Sequence, residues 1–459
     1  MMRTSIPAVG YSTDSDNSDC ARELCDAENS FYDAPSLSQA APIYIPKGTM
    51  ILSQGNRLYI RRLLRSRVLK IVIVLACLIN ILDVLRIHRA ITDADRTPPP
   101  RPSQPRERIY IASMHWNNGH VLRHHWNDAV IKLTETFGPE NVFVSIYESG
   151  SWDDTKEALR DLDGQLERRG VPRRIETSPK THRDEIARGG QGEGWIKTSR
   201  GTQLRRIPYL AKLRNKTLRD LLELHEKGTT FDKVLFLNDV IFTTDDVLKL
   251  LNTNGGEYAA ACSLDFSKPP LYYDTFALRD TQGNAHAMQT WPYFQSSGSR
   301  NALVNHVDAV PVTSCWNGIV AMPAEPFVSS SALRFRAVTD SLATHHLEGS
   351  ECCLIHADNP LSKTRGVFLN PRVRVGYNLP AYQATHPADG SEPWLSVWDI
   401  FVGLWANRLR RWTTIAFDRW VVRRRVGQWE KEGLGNREPG EFCLINEMQV
   451  LVDNGWAHV

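Results

Sequence analysis

The chain has 459 residues, 42% of them hydrophobic, and a net charge of only +3. That length exceeds one small domain and suits one large catalytic domain with appendages. The near-balanced charge excludes a global field for nucleic acid, so the placement of charge says more than its sum. Between Asp14 and Asp33 the chain is acidic, with Asp14, Asp16, Asp19, Glu23, Asp26, Glu28 and Asp33 against one Arg22. Few large apolar groups accompany them. Residues 1–67 therefore read as a disordered cytoplasmic tail that ends in a basic flank of Arg57, Arg61, Arg62, Arg65 and Arg67.

Val68 to Leu85 reads VLKIVIVLACLINILDVL. As a helix this run reaches roughly 27 Å, close to the core of a thin bilayer. Residues 68–87 are expected to form a single transmembrane signal anchor, with a buried soluble helix as the structural alternative. Basic residues are denser before the run than after it, which puts the N-terminus in the cytoplasm and the remainder in the lumen. Residues 88–107 include TDADRTPPPRPSQPR, whose prolines favour an extended, semi-rigid stem.

A folded domain is expected over 108–380. RIYIAS (108–113), NVFVSIY (141–147), 173–177, KVLFL (233–237) and 258–262 suit buried strands. Helical spacing fills 120–137, 153–169, 207–225 and 245–251 between them. Alternation of this kind predicts a doubly wound α/β sheet, which binds ligands at the carboxyl ends of its strands. Asn117 and Asn118 follow the first strand, Asn238 and Asp239 the fourth, and Asp265 the fifth. A strand-end carboxylate such as Asp239 suits Mg2+ or Mn2+ beside phosphates, and a polar turn is the structural alternative. Asp245 and Asp246 read as helix-start residues behind a threonine cap.

Seven blocks in order carry a resemblance: IYIASMHWNN, RIPYLAKLRN, VLFLNDVIF, AACSLDF, YYDTFALRD, VTSCWNGIVAM and ECCLIHAD. Together they resemble the fungal capsule-associated α-1,3-mannosyltransferase family, type II Golgi membrane proteins with a GT-A-like Rossmann-type fold. The resemblance runs from about Arg108 to about Tyr377. It implies transfer of mannose from GDP-mannose to a mannose-containing glycan acceptor, with Mn2+ or Mg2+ and retention of configuration. The usual metal motif has two aspartates around one residue. Here the stretch is Asn238-Asp239-Val240, with one carboxylate. By analogy, His356 is the second candidate metal ligand, with a structural histidine as the alternative.

Asn117, Asn118, Asn238 and Asp239 are the candidate donor contacts. Arg206 and Arg214 share a helix face on which an arginine can clamp a diphosphate. Glu351, Asp265 and Asp358 are the candidate catalytic carboxylates. Asp274 and Asp280 suit sugar hydroxyls. Trp291, Tyr293, Phe294 and Trp316 suit sugar rings or core packing, and Gly318 permits close backbone approach. The sequon Asn215-Lys216-Thr217 is expected to stay unglycosylated. Residues 381–459 read as a helical extension rich in Trp and Arg. Its tryptophans at 394, 398, 405 and 412 fit either a helix packed on the domain or one lying on a membrane. One or two disulfides are allowed and none can be assigned. Two other readings stay open: a non-catalytic Golgi protein of the same fold serving polysaccharide assembly or export, and an enzyme using another nucleotide sugar.

Overall fold

A computed structural model describes residues 66–96, 107–190, 192–387, 393–413 and 416–459, with the side chains of 416–418 left out. The acidic tail and the proline run fall outside the described residues. The described residues from Leu75 onward belong to one compact unit.

Helix α1 covers Arg67–Arg96. Among the described residues it is the one helix long and apolar enough to cross a membrane, its most apolar 18-residue stretch having a mean hydropathy of 2.6. Residues 88–96, expected to open the stem, are instead its last turns. Ile87 and Ile91 supply an apolar face there, and both are buried.

Eight strands of the ten-stranded sheet lie in the order β3-β2-β1-β4-β7-β5-β8-β6; Arg279–Asp280 follow the last at the edge, and Leu271–Tyr272 pair with β5. The eight are β1 (Ile109–His115), β2 (Val142–Glu148), β3 (Arg173–Thr177), β4 (Lys233–Leu237), β5 (Ala260–Lys268), β6 (Val310–Ser314), β7 (Ile319–Pro323) and β8 (Val367–Gly376). Strands β1 to β4 pair in parallel, and so do β5 and β8. β7 runs antiparallel between β4 and β5, and β6 antiparallel to β8. The expected α/β sheet is present, with helices on both faces, but it is mixed rather than purely parallel.

Period-two alternation divides each inner strand between two cores. Ile109, Ile111, Leu235 and Leu237 enter one, with Leu122, Trp126, Val130 of α2 (Asn127–Phe137) and Leu159 of α3 (Thr155–Arg168). Tyr110, Ala112, Val234 and Phe236 enter the other. The expected helix at 207–225 is two, α4 (Arg206–Lys216) and α5 (Arg219–Glu226). Its first segment closes where the Thr217 hydroxyl bonds back to the Arg214 carbonyl at 2.7 Å. Helix α6 (Thr244–Leu251) starts with Thr243 and Asp246 capping each other, as the sequence suggests. Helix α7 (Glu351–Asp358) precedes β8, and α8 (Leu379–Thr385) follows it.

Residues 381–459 were expected as a helical extension. They form α9 (Val397–Thr413), α10 (Ala416–Glu432) and a hairpin of 449–452 with 455–458. The disulfide Cys353–Cys443 and the pairing of Glu348–Gly349 with Leu444–Ile445 fasten this part to α7. A second disulfide, Cys262–Cys315, joins β5 to the turn before β7.

Candidate functional site

The carboxyl ends of β1, β4, β5 and β8 converge with the start of β7. Past β1, Asn117 takes a left-handed φ of 52°. Its amide oxygen accepts from the Trp152 backbone at 3.1 Å, tying this turn to the one after β2. Asn118 is used up locally. Its Oδ1 accepts from the Trp116 backbone at 2.9 Å, and its Nδ2 donates to the Asp239 carboxylate at 2.7 Å. Asn117 and Asn118, the expected donor contacts, thus flank Asp239, and Asn118 also positions its carboxylate. Asn238 is fixed from both sides by indoles. Trp126 donates to its carbonyl at 3.0 Å and Trp316 to its Oδ1 at 3.2 Å.

Asp265 was expected just beyond the fifth strand. It lies inside β5 and is wholly buried. Asn317 donates to it at 2.8 Å, the Asp274 backbone at 3.1 Å and the Tyr377 hydroxyl at 3.2 Å. Gly318 makes this packing possible. Its φ is 93°, and an added Cβ would fall 2.4 Å from Val375 Cγ2. Asp274 accepts from the backbones of Phe276 and Ala277 at 2.9 and 3.1 Å.

Burial, then the neighbouring Asp274 charge, pushes the Asp265 carboxyl up to about 7. Burial also raises Asp274, and it raises Asp239 although part of that side chain still meets solvent. Tyr273 and Tyr377 each feel the charges of both Asp239 and Asp265, which places these acids in one electrostatic cluster. Acids that burial and mutual repulsion hold toward their protonated forms suit a bound cation, which relieves both effects.

A stability test follows. The folded Asp265 carboxyl keeps its proton to higher pH than the unfolded one. Its contribution is therefore present below the unfolded value, near 4, and is lost as pH rises through about 7. Asp265→Asn should melt above the native protein at pH 8, by on the order of 2 kcal/mol in stability, and the gap should close near pH 4.5. An equal gap at both pH values would refute the assignment.

Arg214 Nε meets Glu351 Oε1 at 2.9 Å, and its guanidinium lies 4.6 Å over the Trp316 ring. Arg206 lies 4.6 Å over Trp456 and donates to Gln449 at 2.6 Å, while feeling the charges of Glu351 and Asp274. Both arginines therefore belong to the cluster, and neither sits on a solvated helix face. The Cys352 thiol is buried beside Glu351, and burial holds its pKa well above the ordinary thiol range.

Other expected residues are elsewhere. Asp358 ends α7, about 10 Å of helix from Glu351. It is held by Arg336 at 2.6 and 3.0 Å, and Arg336 also grips Glu438. That makes it a strut, not a catalytic acid. His356 is wholly buried, with Nε2 2.7 Å from the Cys315 carbonyl, and burial lowers its pKa to about 4. The sulfurs of Cys262 and Cys315 are its potential ligand neighbours, and they are joined to each other. The structure thus gives His356 a structural place rather than one beside Asp239. Asp280 organises its own turn through Asn284 and Ser296. Trp291, Tyr293 and Phe294 are core residues, each at most 3% exposed.

At Asn215 the side-chain amide pairs with both backbone groups of Phe335, at 2.8 and 3.0 Å. Intact-mass analysis of secretory-pathway protein should find no glycan there, and an occupied Asn215 would contradict this packing.

Sequence reasoning missed an aromatic corner. Trp116 stacks on His182 at 4.3 Å and meets Trp152 edge-on at 5.0 Å, and Trp152 stays half exposed. Nothing local signals a trio drawn from three separate loops. Arg205 was also passed over for Arg206. It is fully buried in a bidentate pair with Glu348, Nη2 to Oε1 at 2.8 Å and Nε to Oε2 at 3.1 Å, and reaches Asp340 at 2.6 Å.

The family model described as cryptococcal mannosyltransferase 1 matches residues 108–358, from β1 to the end of α7. That stretch takes in β1 to β7, Asp239, Asp265 and both arginines of α4, and a mannosyltransferase is a glycosyltransferase. The match spans more than half of the chain, and the chain belongs to this mannosyltransferase family. No curated protein matches it. Among solved structures, it is similar to mannosyltransferase PcManGT from Pyrobaculum calidifontis in complex with GDP-Man and Mn2+. Identity there is 10% and the TM-score 0.32, over 79% of this chain and 89% of that one. It is similar to GalNAc-T7 with UDP, GalNAc and Mn2+ at 14% identity and a TM-score of 0.36, over 77% and 59%. It is also similar to glucosyl-3-phosphoglycerate synthase of M. tuberculosis at 12% and 0.28, over 72% and 87%. Likenesses this distant say nothing of substrate.

Proposed function

We propose that the chain moves mannose from GDP-mannose to a mannose-containing glycan acceptor, forming an α-1,3 linkage with the help of a divalent metal. The observation that carries this reading is Asp239 at the end of β4, positioned by Asn118 within the buried acid and arginine cluster of a mannosyltransferase-family chain. Asp239 would hold Mn2+ or Mg2+ together with phosphate oxygens and water. Such an ion supplies charge neutralisation on the departing diphosphate. Arg206 and Arg214 carry the positive charge for the same phosphates. Glu351, pinned by Arg214, orients the acceptor in a retaining reaction, and Asp265 with Asp274 lines the sugar side.

Placement in the Golgi membrane, with the catalytic part in the lumen, is supported by the apolar α1, the basic flank before it and two disulfides of a kind that persist in oxidising compartments. A second reading is a non-catalytic protein that binds a nucleotide sugar, and the single carboxylate of Asn238-Asp239-Val240 favours it. The test is a transfer assay on the detergent-solubilised full chain, with short mannosides and either GDP-mannose or UDP-sugars, in Mn2+ or chelator. Metal-dependent transfer from GDP-mannose supports the first reading. Transfer from a UDP-sugar alone changes the donor. Binding without turnover selects the second.

A further inference from the structure

Helix α9 has two apolar faces. The inner face is Ile400, Gly403, Leu404 and Asn407, all buried. Gly403 lets the helix touch the domain, since a Cβ there would come within 2.1 Å of the Trp291 carbonyl oxygen. Asn407 fixes the contact by donating to the Thr290 carbonyl at 3.0 Å. The outer face carries Trp398, Phe401, Val402, Leu409 and Trp412, at 68%, 37%, 41%, 53% and 70% exposure, with Trp405 half-buried among them. Their spacing of three and four residues makes one stripe, roughly 20 Å long. A helix on a water-facing surface would carry polar residues there.

What covers the stripe is indicated by its link to α1. The Arg408 guanidinium lies 5.2 Å from the Trp405 ring and reaches Asn80 at 2.9 Å and Asp83 at 3.4 Å. On α1 this is the level at which exposure changes. Ile79 and Leu82 are each 65% exposed, whereas Val84 and Ile87 are buried. The turns beyond are clamped to the domain. Arg374 pairs with Asp95 at 3.0 Å, and Arg372 donates to the Ala94 carbonyl at 2.7 Å. The apolar stripe of α9 therefore joins α1 where the exposed apolar length of α1 stops. Tryptophan and arginine are the side chains that favour a headgroup layer, and Arg424 over Trp420 on α10 repeats the pairing.

We propose that the outer face of α9 lies in the headgroup interface of the bilayer that α1 crosses, so that the domain is seated on the membrane. This rests on α1 being the anchor. No tryptophan precedes Trp116, so α1 has none. Tryptophan quenching by lipid therefore reports the domain alone.

The experiment uses the full chain in phosphatidylcholine–phosphatidylserine vesicles containing lipids brominated just below the headgroup. Flotation and resistance to carbonate extraction report the anchor. Part of the tryptophan emission should be quenched, and W398F with W412F, which keeps the face apolar, should lose most of that quenching. Floating, carbonate-resistant protein without quenching would overturn the seating and leave the anchor standing. Quenching unchanged in the double variant would overturn it too. Protein that neither floats nor resists carbonate overturns both. A concentration-dependent dimer in detergent, with no quenching, gives the stripe to a second copy and also overturns it.

Discussion

Asp239→Asn is expected to lower transfer from GDP-mannose by about 100-fold or more, equivalent to about 2.7 kcal/mol of lost transition-state stabilisation. The substitution separates charge from shape. An asparagine Oδ1 at 239 can still accept the 2.7 Å bond from Asn118, so the turn after β4 is kept. What disappears is the carboxylate through which a divalent ion would be held beside the diphosphate. Asp239→Ala should cost as much or more. Protection against heat by Mn2+ with GDP should weaken in both variants. Near-native activity in Asp239→Asn would end the metal assignment while leaving the family and the fold intact.

Glu348→Ala is expected to destabilise the protein by about 3–5 kcal/mol, because it strips the bidentate partner from a guanidinium that has no exposure. Asp340 still reaches Arg205 at 2.6 Å, but it is partly exposed and engages only one nitrogen. Differential scanning fluorimetry checks this directly. The pair joins the start of α4 to the segment just before α7, the helices that carry Arg206, Arg214 and Glu351. Activity should therefore fall with stability when measured near the midpoint. A loss under 1 kcal/mol would mean that water enters and solvates Arg205.

The sequence was most informative where structure is local. The strands that become β1 and β4 are short apolar runs that stop at a polar pair, so Asn118 and Asp239 could be placed at strand ends by pattern alone. Capping of α6 by Thr243 was legible for the same reason. Pairings across long separations were not. Nothing in the period of residues 319–323 tells that β7 enters antiparallel between β4 and β5. A local hairpin brings Asp274 back to Asp265, but Asn317, which bonds to both, arrives from some fifty residues along the chain. His356 and Asp358 sit in a block that resembles a metal-binding end, yet it is the first turn of α7, with Glu351 and Cys352, that meets Arg214. Tryptophan spacing beyond residue 394 did signal a helix, and burial then divided it into a packed face and an open one.

The disulfide from Cys353 to Cys443 bears on how the protein must be made. The two cysteines are separated by 90 positions. At about 5–20 residues per second of synthesis, roughly 5–18 s pass before the second follows the first. Throughout that interval Cys352 and Cys353 are adjacent thiols with equal access to any oxidant. Only the finished interior, which buries Cys352 beside Glu351 and turns Cys353 to Cys443, tells them apart. Correct maturation therefore depends on residues that lie after the family-matched stretch.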